Sequence, residues 1–300
     1  MSYTPSQQRQ ITRDNLRAQE REMSEILEAR ISHLSDLAEI LFSALGDGHP
    51  TPASFRALTV DAPLLSPAER ATHRELLAQY RPFVTRALSD LAVYDRVVLC
   101  GLLLNRFEES GRSLTVSAFL GGTSSVGRVA YYRNALTDEA FSAFSPVLSS
   151  PKPISATDYL DACEIVSVGD ADACILPLTT TEGERAESVL SLLRTYGLCV
   201  SAVRVIPDGE DTPICFALCS RLPLGEAEDP ALMLSFHAGD PVDPAALTAA
   251  AAYAGMRVTR FVFDGSARLE ACGGDPLVYL IYLTLFCPEY RVDGYYHIES

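Results

Sequence analysis

The side chains with chemical potential in this chain are arginines and hydroxyls. Lys152 is the only lysine, so cationic recognition must be built from arginine, whose planar fork matches a carboxylate at two points. Arg13 and Arg30 fall in the seam of an otherwise apolar helical stretch, with Glu20 between them. A charge in a packing stripe is costly unless it is paired or needed. Two readings stay open. Either the arginines pair with nearby glutamates or reach solvent along their stems, or they form an anion site between helices.

A second group is hydroxylic. Thr179, Thr180 and Thr181 follow the apolar run 173–176, and Ser124 and Ser125 end a Gly-Gly-Thr-Ser-Ser loop at 121–125. Hydroxyls and backbone N–H groups where a strand end meets a helix start bind carboxylate or phosphate. Alternatively, Thr181 only caps the helix that follows. Neither loop has the spacing of a dinucleotide or Walker fingerprint. The eight cysteines lie in apolar contexts without a Cys-x-x-Cys pair, and the five histidines give no paired ligand spacing. They read as reduced core residues, with no metal and no cofactor expected.

Periodicity outlines the elements that carry these groups. Residues 11–45 read as one long helix, with Leu16, Met23, Leu27, Leu34, Leu37 and Leu41 along a heptad-like seam and Gly46 as its stop. A loop over 47–65 leads to Ser66, Pro67 and Glu69, the signature of a capped helix start. That helix runs to Leu91 with an interruption at Pro82, and a third covers 93–109. Three helices, the first very long, imply a bundle that a second copy of the chain would complete.

From Ser113 the pattern changes. A strand is expected over 114–120, then the small-residue loop and helices over 126–135 and 138–144. A Pro/Ser-rich linker to 153 and a helix around 156–163 follow. The stretch 172–207 organises this part: strand 173–176, a helix over 188–196 stopped by Gly197, and strand 198–206. With a further strand over 212–219, the alternation indicates an α/β domain. Beyond an acidic linker at 221–230 the order is β-α-β-β-α-β, the ferredoxin-like split unit. Its segment 276–287 is apolar enough to read as helix or strand.

The whole chain narrows the partners. A formal net charge of −15 argues against nucleic acid and against an anionic membrane surface. A small anion stays compatible, because local arginines can outweigh the overall field. No apolar run is long enough to span a bilayer, and the polar first ten residues lack a hydrophobic signal region, which points to the cytoplasm.

Three segments carry a resemblance. They are LPLTTTEGERAESVLSLLRTYGLCVSAVRVIP at 176–207, FLGGTSSVGRVAYY at 119–132 and YRVDGYYHI at 290–298. Together with the order of the three parts, they resemble the bifunctional P-protein family, which joins chorismate mutase, prephenate dehydratase and a regulatory ACT domain. The resemblance implies a multidomain fold. An all-α chorismate-mutase-like bundle would cover 1–112, and a single α/β lobe like the dehydratase (periplasmic-binding-protein-like) domain would cover 113–224. A C-terminal α+β ferredoxin-like ACT domain would cover 225–300.

The resemblance also implies site residues. Arg13, Arg30 and Arg74 would clamp substrate carboxylates, with Glu75 and Ser110 orienting a hydroxyl or ether oxygen. Thr179, Thr180, Thr181, Ser124 and Ser125 would bind substrate in the lobe. The implied ligand is chorismate, prephenate or an aromatic amino acid, held by a homodimer. The sequence departs from the family at telling places. Leu41 stands near the expected lysine, Thr179–Thr180 replace a Glu-Asn pair, and the chain has no room for a second lobe. Thr259-Arg260-Phe261 matches the catalytic tripeptide of the dehydratases but reads as part of a core strand. Two functions follow: a divergent enzyme of phenylalanine biosynthesis with degenerate sites, mutase chemistry being better kept, or a non-catalytic ligand sensor.

Overall fold

The computed structural model describes residues 5–46, 50–59, 66–72, 74, 76–122, 126–148, 150–179, 186–207, 213–224, 230–236, 243–263, 267–287 and 289–297. It opens with α1 (Pro5–Leu45). Its last third is packed, with Leu34, Leu37, Ala38 and Leu41 buried, whereas every residue from 13 to 33 is exposed. At 1.5 Å per residue, the uncovered part runs for about 30 Å. The stretch expected as a loop contains α2 (Pro52–Thr59), where Thr51 and Ser54 bond each other's backbone N–H and Pro52 sits in the first turn. α3 (Pro67–Thr72) carries the capping box read from the sequence, with Ser66 and Glu69 bonded reciprocally. A π turn at Leu76–Tyr80 precedes α4 (Arg81–Ser89), so Pro82 falls in a first turn, where its missing N–H costs nothing. α5 (Val93–Glu109) follows as expected.

Between 113 and 135 the structure reverses the expected order. Thr115 caps Val116–Leu120 by accepting from the Ala118 N–H, and Gly121 ends it in left-handed backbone at φ 74°. That segment is therefore a short helix, α6, and not a strand. Residues 126–135, expected as a helix, contain β1 (Arg128–Tyr132), whose Val-Ala-Tyr-Tyr run suits a central strand. α7 (Ala135–Phe144) starts at Asn134, and β2 (Lys152–Ala156) begins at the end of the expected linker and runs to the start of the expected helix at 156. α8 (Tyr159–Val168), β3 (Ala173–Pro177), α9 (Glu187–Tyr196), β4 (Cys199–Ile206) and β5 (Ile214–Ser220) complete this part.

The terminal unit comprises β6 (Pro230–Phe236), α10 (Pro244–Tyr253), β7 (Arg257–Phe263), β8 (Ala267–Cys272), α11 (Pro276–Phe286) and β9 (Tyr290–His297). α11 is a helix because Asp275 accepts from the Leu277 and Val278 N–H groups and Pro276 fits the first turn. Ten of its eleven residues are buried, which is why it shows no polar face.

The nine strands among the described residues form one sheet in the order β2-β1-β3-β5-β4-β9-β6-β8-β7. β1 runs parallel to β2 and β3, and β5 lies antiparallel between β3 and β4. The last four strands are antiparallel throughout, in the split β-α-β-β-α-β order. The two parts meet where β9 runs parallel to β4, registered at one pair, Val200 with Gly294. A Cβ on Gly294 would sit 3.0 Å from the Val200 Cβ and 3.1 Å from the Tyr296 ring, so any larger residue would push on both neighbours. Arg291 fastens the junction. Its guanidinium donates to the carbonyls of Leu193, Arg194 and Leu198 at 2.8–2.9 Å, closing the C-terminus of α9 with a cation.

Strand β3 is buried on both faces. Ala173 and Ile175 join the core under α7, whereas Cys174 and Leu176 join the core under α8 and α9. On the other side of the junction, Leu41, Phe55, Leu99 and Phe107 share one core with Leu232, Leu247 and Leu280. The N-terminal helices are thus a layer over α10 and α11 instead of a bundle around a core of their own. Among the described residues no helix is long and apolar enough to cross a membrane, and all eight cysteines are free thiols, five of them buried.

Candidate functional site

The helical site residues do not converge within one chain. Arg30 donates to the carboxylate of Asp95, which sits in the first turn of α5 and is 5% exposed. The hydrogen bond and charge of Asp95 push the Arg30 guanidinium further up. Arg13 lies exposed seventeen residues earlier on the same helix, about 25 Å away along the axis. Arg74 is exposed, and Glu75 lies outside the described residues. Ser110 follows α5, where its hydroxyl donates to the Phe107 carbonyl at 2.8 Å and accepts from Arg112 at 3.1 Å. Leu41, near the position of the family's lysine, is a core residue at 2% exposure.

The lobe does bring strand ends and helix starts together. α7 and α8 leave the sheet on opposite faces, so the carboxyl end of β1, between β2 and β3, is a topological switch point where open α/β sheets bind ligands. Beyond β1 come Arg133 and Asn134, beyond β2 Thr157 and Asp158, and beyond β3 Leu178 and Thr179. Asn134 and Thr137 cap α7 reciprocally, at 3.0 and 2.9 Å, and the fully buried Thr137 hydroxyl donates to the Tyr132 carbonyl at 2.6 Å. Asp158 accepts from the Asp161 N–H, and the Asp161 carboxylate takes the Thr157 N–H and hydroxyl. The rings of Tyr132 and Tyr159 meet edge to face, 6.0 Å apart. Burial pushes the Tyr159 phenol up, while a hydrogen bond with Asn134 draws it partly back. Asp138 accepts from the Tyr131 hydroxyl at 2.9 Å and from Arg133 at 3.2 Å. This edge therefore carries amide, hydroxyl, phenol and guanidinium groups, each bonded within the edge, beside the carboxylates of Asp138, Asp158 and Asp161.

Of the hydroxyls expected at this edge, only Thr179 lies among the described residues. Thr179 accepts from the Cys215 N–H at 2.9 Å, so it extends the β3–β5 pairing. Thr180 and Thr181 lie outside the described residues. The N-cap of α9 is Ala186, whose N–H returns to the Leu178 carbonyl at 2.9 Å, so the helix starts well beyond Thr181. Ser124 and Ser125 also lie outside the described residues. The element at the strand end is Arg133–Asn134. Its signal in the sequence is the Asn-x-x-Thr capping pair directly after Val-Ala-Tyr-Tyr.

No protein-family model matches the sequence, and no curated protein matches it. Solved structures are similar to it at a distance. Prephenate dehydratase from Streptococcus mutans aligns with 58% of this chain and 100% of its own, at 13% identity and TM-score 0.47. A quorum-quenching acylase, GqqA, aligns with 57% of this chain and 95% of its own, at 16% identity and TM-score 0.44. Prephenate dehydratase from Arthrobacter aurescens, in complex with L-Phe, aligns with 57% and 90%, at 14% identity and TM-score 0.44. Likenesses of this order transfer no activity and no residue roles.

Among the described residues no group of three His, Cys, Asp or Glu side chains is placed to hold a metal ion. The tripeptide Thr259-Arg260-Phe261 lies in β7. Thr259 donates to the Glu270 carbonyl across the ladder at 3.2 Å, and Phe261 packs against the core beneath the terminal helices. Arg260 faces the other side of the sheet, toward α9.

Proposed function

We propose that this chain is a non-catalytic descendant of a P-protein-like ancestor, a homodimeric sensor of a small anionic molecule such as prephenate, chorismate or an aromatic amino acid. One observation carries the reading: Arg30, the arginine best placed to clamp a substrate carboxylate, is matched by the buried Asp95. Electrophilic stabilisation of a compact dianion needs cations that stay uncommitted until substrate arrives. Burial of Leu41 supports the same reading, as does a single lobe that supplies one wall of a cleft. The ligand's polar end would meet Asn134 and Tyr159, and the terminal β-α-β-β-α-β unit would act as the regulatory, ACT-like part. Exposed Leu16, Met23, Ile26, Leu27 and Ile31 extend the apolar side of α1 beyond its packed third, which supports pairing with a second copy.

The test is consumption of chorismate and of prephenate, followed by absorbance at high protein concentration, with calorimetric titration of the same compounds and of L-phenylalanine. Binding without turnover is expected, with the affinity reduced by Asn134→Ala. Turnover abolished by Arg30→Leu would replace this proposal with a surviving mutase.

A further inference from the structure

From Arg30 onward α1 is flanked by α5, which runs beside it in the same direction. Asp95, in the first turn of α5, meets Arg30, and Arg106, near its end, meets Ser35 and Glu39 at 3.3 and 3.4 Å. Leu34, Leu37 and Leu41 are buried there. Toward the N-terminus the same helical face continues with Leu27, Met23 and Leu16, and these three are 49%, 63% and 53% exposed. One apolar face is therefore covered at one end and bare at the other. Charge divides the bare end. Arg13, Arg17, Glu20 and Glu28 recur at helical spacing along one flank of the face, the cations first and the carboxylates after them. All four are exposed. A flank with this order is complementary to its own reverse.

Resting on the homodimer proposed above, we infer that two copies pair through this face with their α1 helices antiparallel, the body of each copy lying at the opposite end of the pair. Two constraints agree on the direction. A second α1 laid along the face in the same direction would carry its own packed third, with its own α5, into the space that the first α5 fills. The reversed helix carries its body away from that space. A parallel pair in register would also set Arg13 against Arg13 and Glu20 against Glu20, like charges that repel. Reversed about an axis near Arg21, Leu16 comes beside the partner's Leu27, and Arg13 beside the partner's Glu28. The bare apolar positions then cover one another, and each end of the pair gains an attraction between opposite charges.

Charge reversal and cross-linking of the full chain test the direction. In sedimentation equilibrium at low salt, Arg13→Glu should raise the dimer's Kd by about tenfold, and Glu28→Arg added to the same chain should bring it back. In a parallel pair each substitution meets its own copy, so the second would rescue nothing. Mild oxidation of Leu16→Cys mixed with Leu27→Cys should give a disulfide-linked dimer on a non-reducing gel, above the wild-type background. Leu27→Cys alone should not, because its two copies would lie about 16 Å apart along the axis. Unchanged secondary structure by circular dichroism guards against a folding artefact. A dimer in which Leu27→Cys links to itself, or in which Glu28→Arg fails to rescue Arg13→Glu, overturns the direction and leaves the homodimer standing. A wild-type monomer removes both.

Discussion

Arg30 on α1 and Asp95 on α5 form an ion pair in which the carboxylate is buried and the guanidinium remains half exposed. The asymmetry sets what each substitution does. Arg30→Leu leaves a buried carboxylate uncompensated, the costlier way to break such a pair. It should lower the thermal midpoint, and Arg30→Leu with Asp95→Leu together should recover most of the loss. A double mutant no more stable than Arg30→Leu alone would show that Asp95 is not held by this pair.

Asn134 and Thr137 should prove to be the anchor of the strand-end site. Asn134→Ala should cost about 1 kcal/mol, the usual value of a helix N-cap. Thr137→Val should cost about 1–2 kcal/mol, since it leaves the Tyr132 carbonyl and the Asn134 N–H without their partner in a buried place. Urea denaturation of both variants reads these values directly.

Acid should act through Asp172. Burial pushes its carboxyl up, but the N–H groups of Gly127 and Arg128 and the Arg128 guanidinium outweigh this and hold it below the ordinary carboxylate value. A depressed folded pKa gives stability that is complete above the unfolded value, about 3.9, and is lost as pH falls through the folded one. Asp172→Asn should remove about 1 kcal/mol at neutral pH, allowing for solvent screening, and should flatten the fall in stability below pH 4.

Alkali should act through buried tyrosines. Burial pushes Tyr131 up to about 12, helped by its hydrogen bond to Asp138, and burial does the same for Tyr282 and Tyr290. Each favours the neutral phenol in the folded state, so its contribution is whole below the unfolded value of about 10 and is lost as pH rises toward 12. Tyrosinate absorbance should therefore rise in two stages, exposed phenols first and the buried set together with unfolding. A single stage centred near 10 would contradict this.

The exposed stretch 13–33 of α1 should mediate self-association. Sedimentation should give a dimer for the wild type, and Leu27→Glu with Ile31→Glu should give a folded monomer. A wild-type monomer at micromolar concentration would remove that part of the proposal.

What the sequence could disclose followed the length over which a pattern repeats. α1, α5 and the β3–α9–β4 succession were legible because each sustains a period or ends on glycine. The exchange of helix and strand at 114–135 was not, since Leu-Thr-Val-Ser-Ala-Phe-Leu alternates like a strand yet is only one helical turn between Thr115 and Gly121. There the terminal signals outweigh the period. α2 was hidden for the same reason, its start marked only by Thr51 and Pro52. The partners of arginines were invisible: Arg30 meets Asp95, and Arg260 meets Glu187, over separations that no local pattern spans. A charge in a seam announces that something must answer it, without saying what.

The position of β9 bears on how the molecule is made. It is last of the nine strands in chain order and sixth in the sheet, flanked by β4 and β6. As the chain leaves the ribosome, the five-stranded part can assemble while the terminal unit is still being synthesised. The hydrogen-bonded ladder between them closes only once β9 has been made. A chain cut short by a premature stop before Tyr290 would carry the other described elements, yet would leave the facing edges of β4 and β6 bare, ready to capture the β9 of a neighbour.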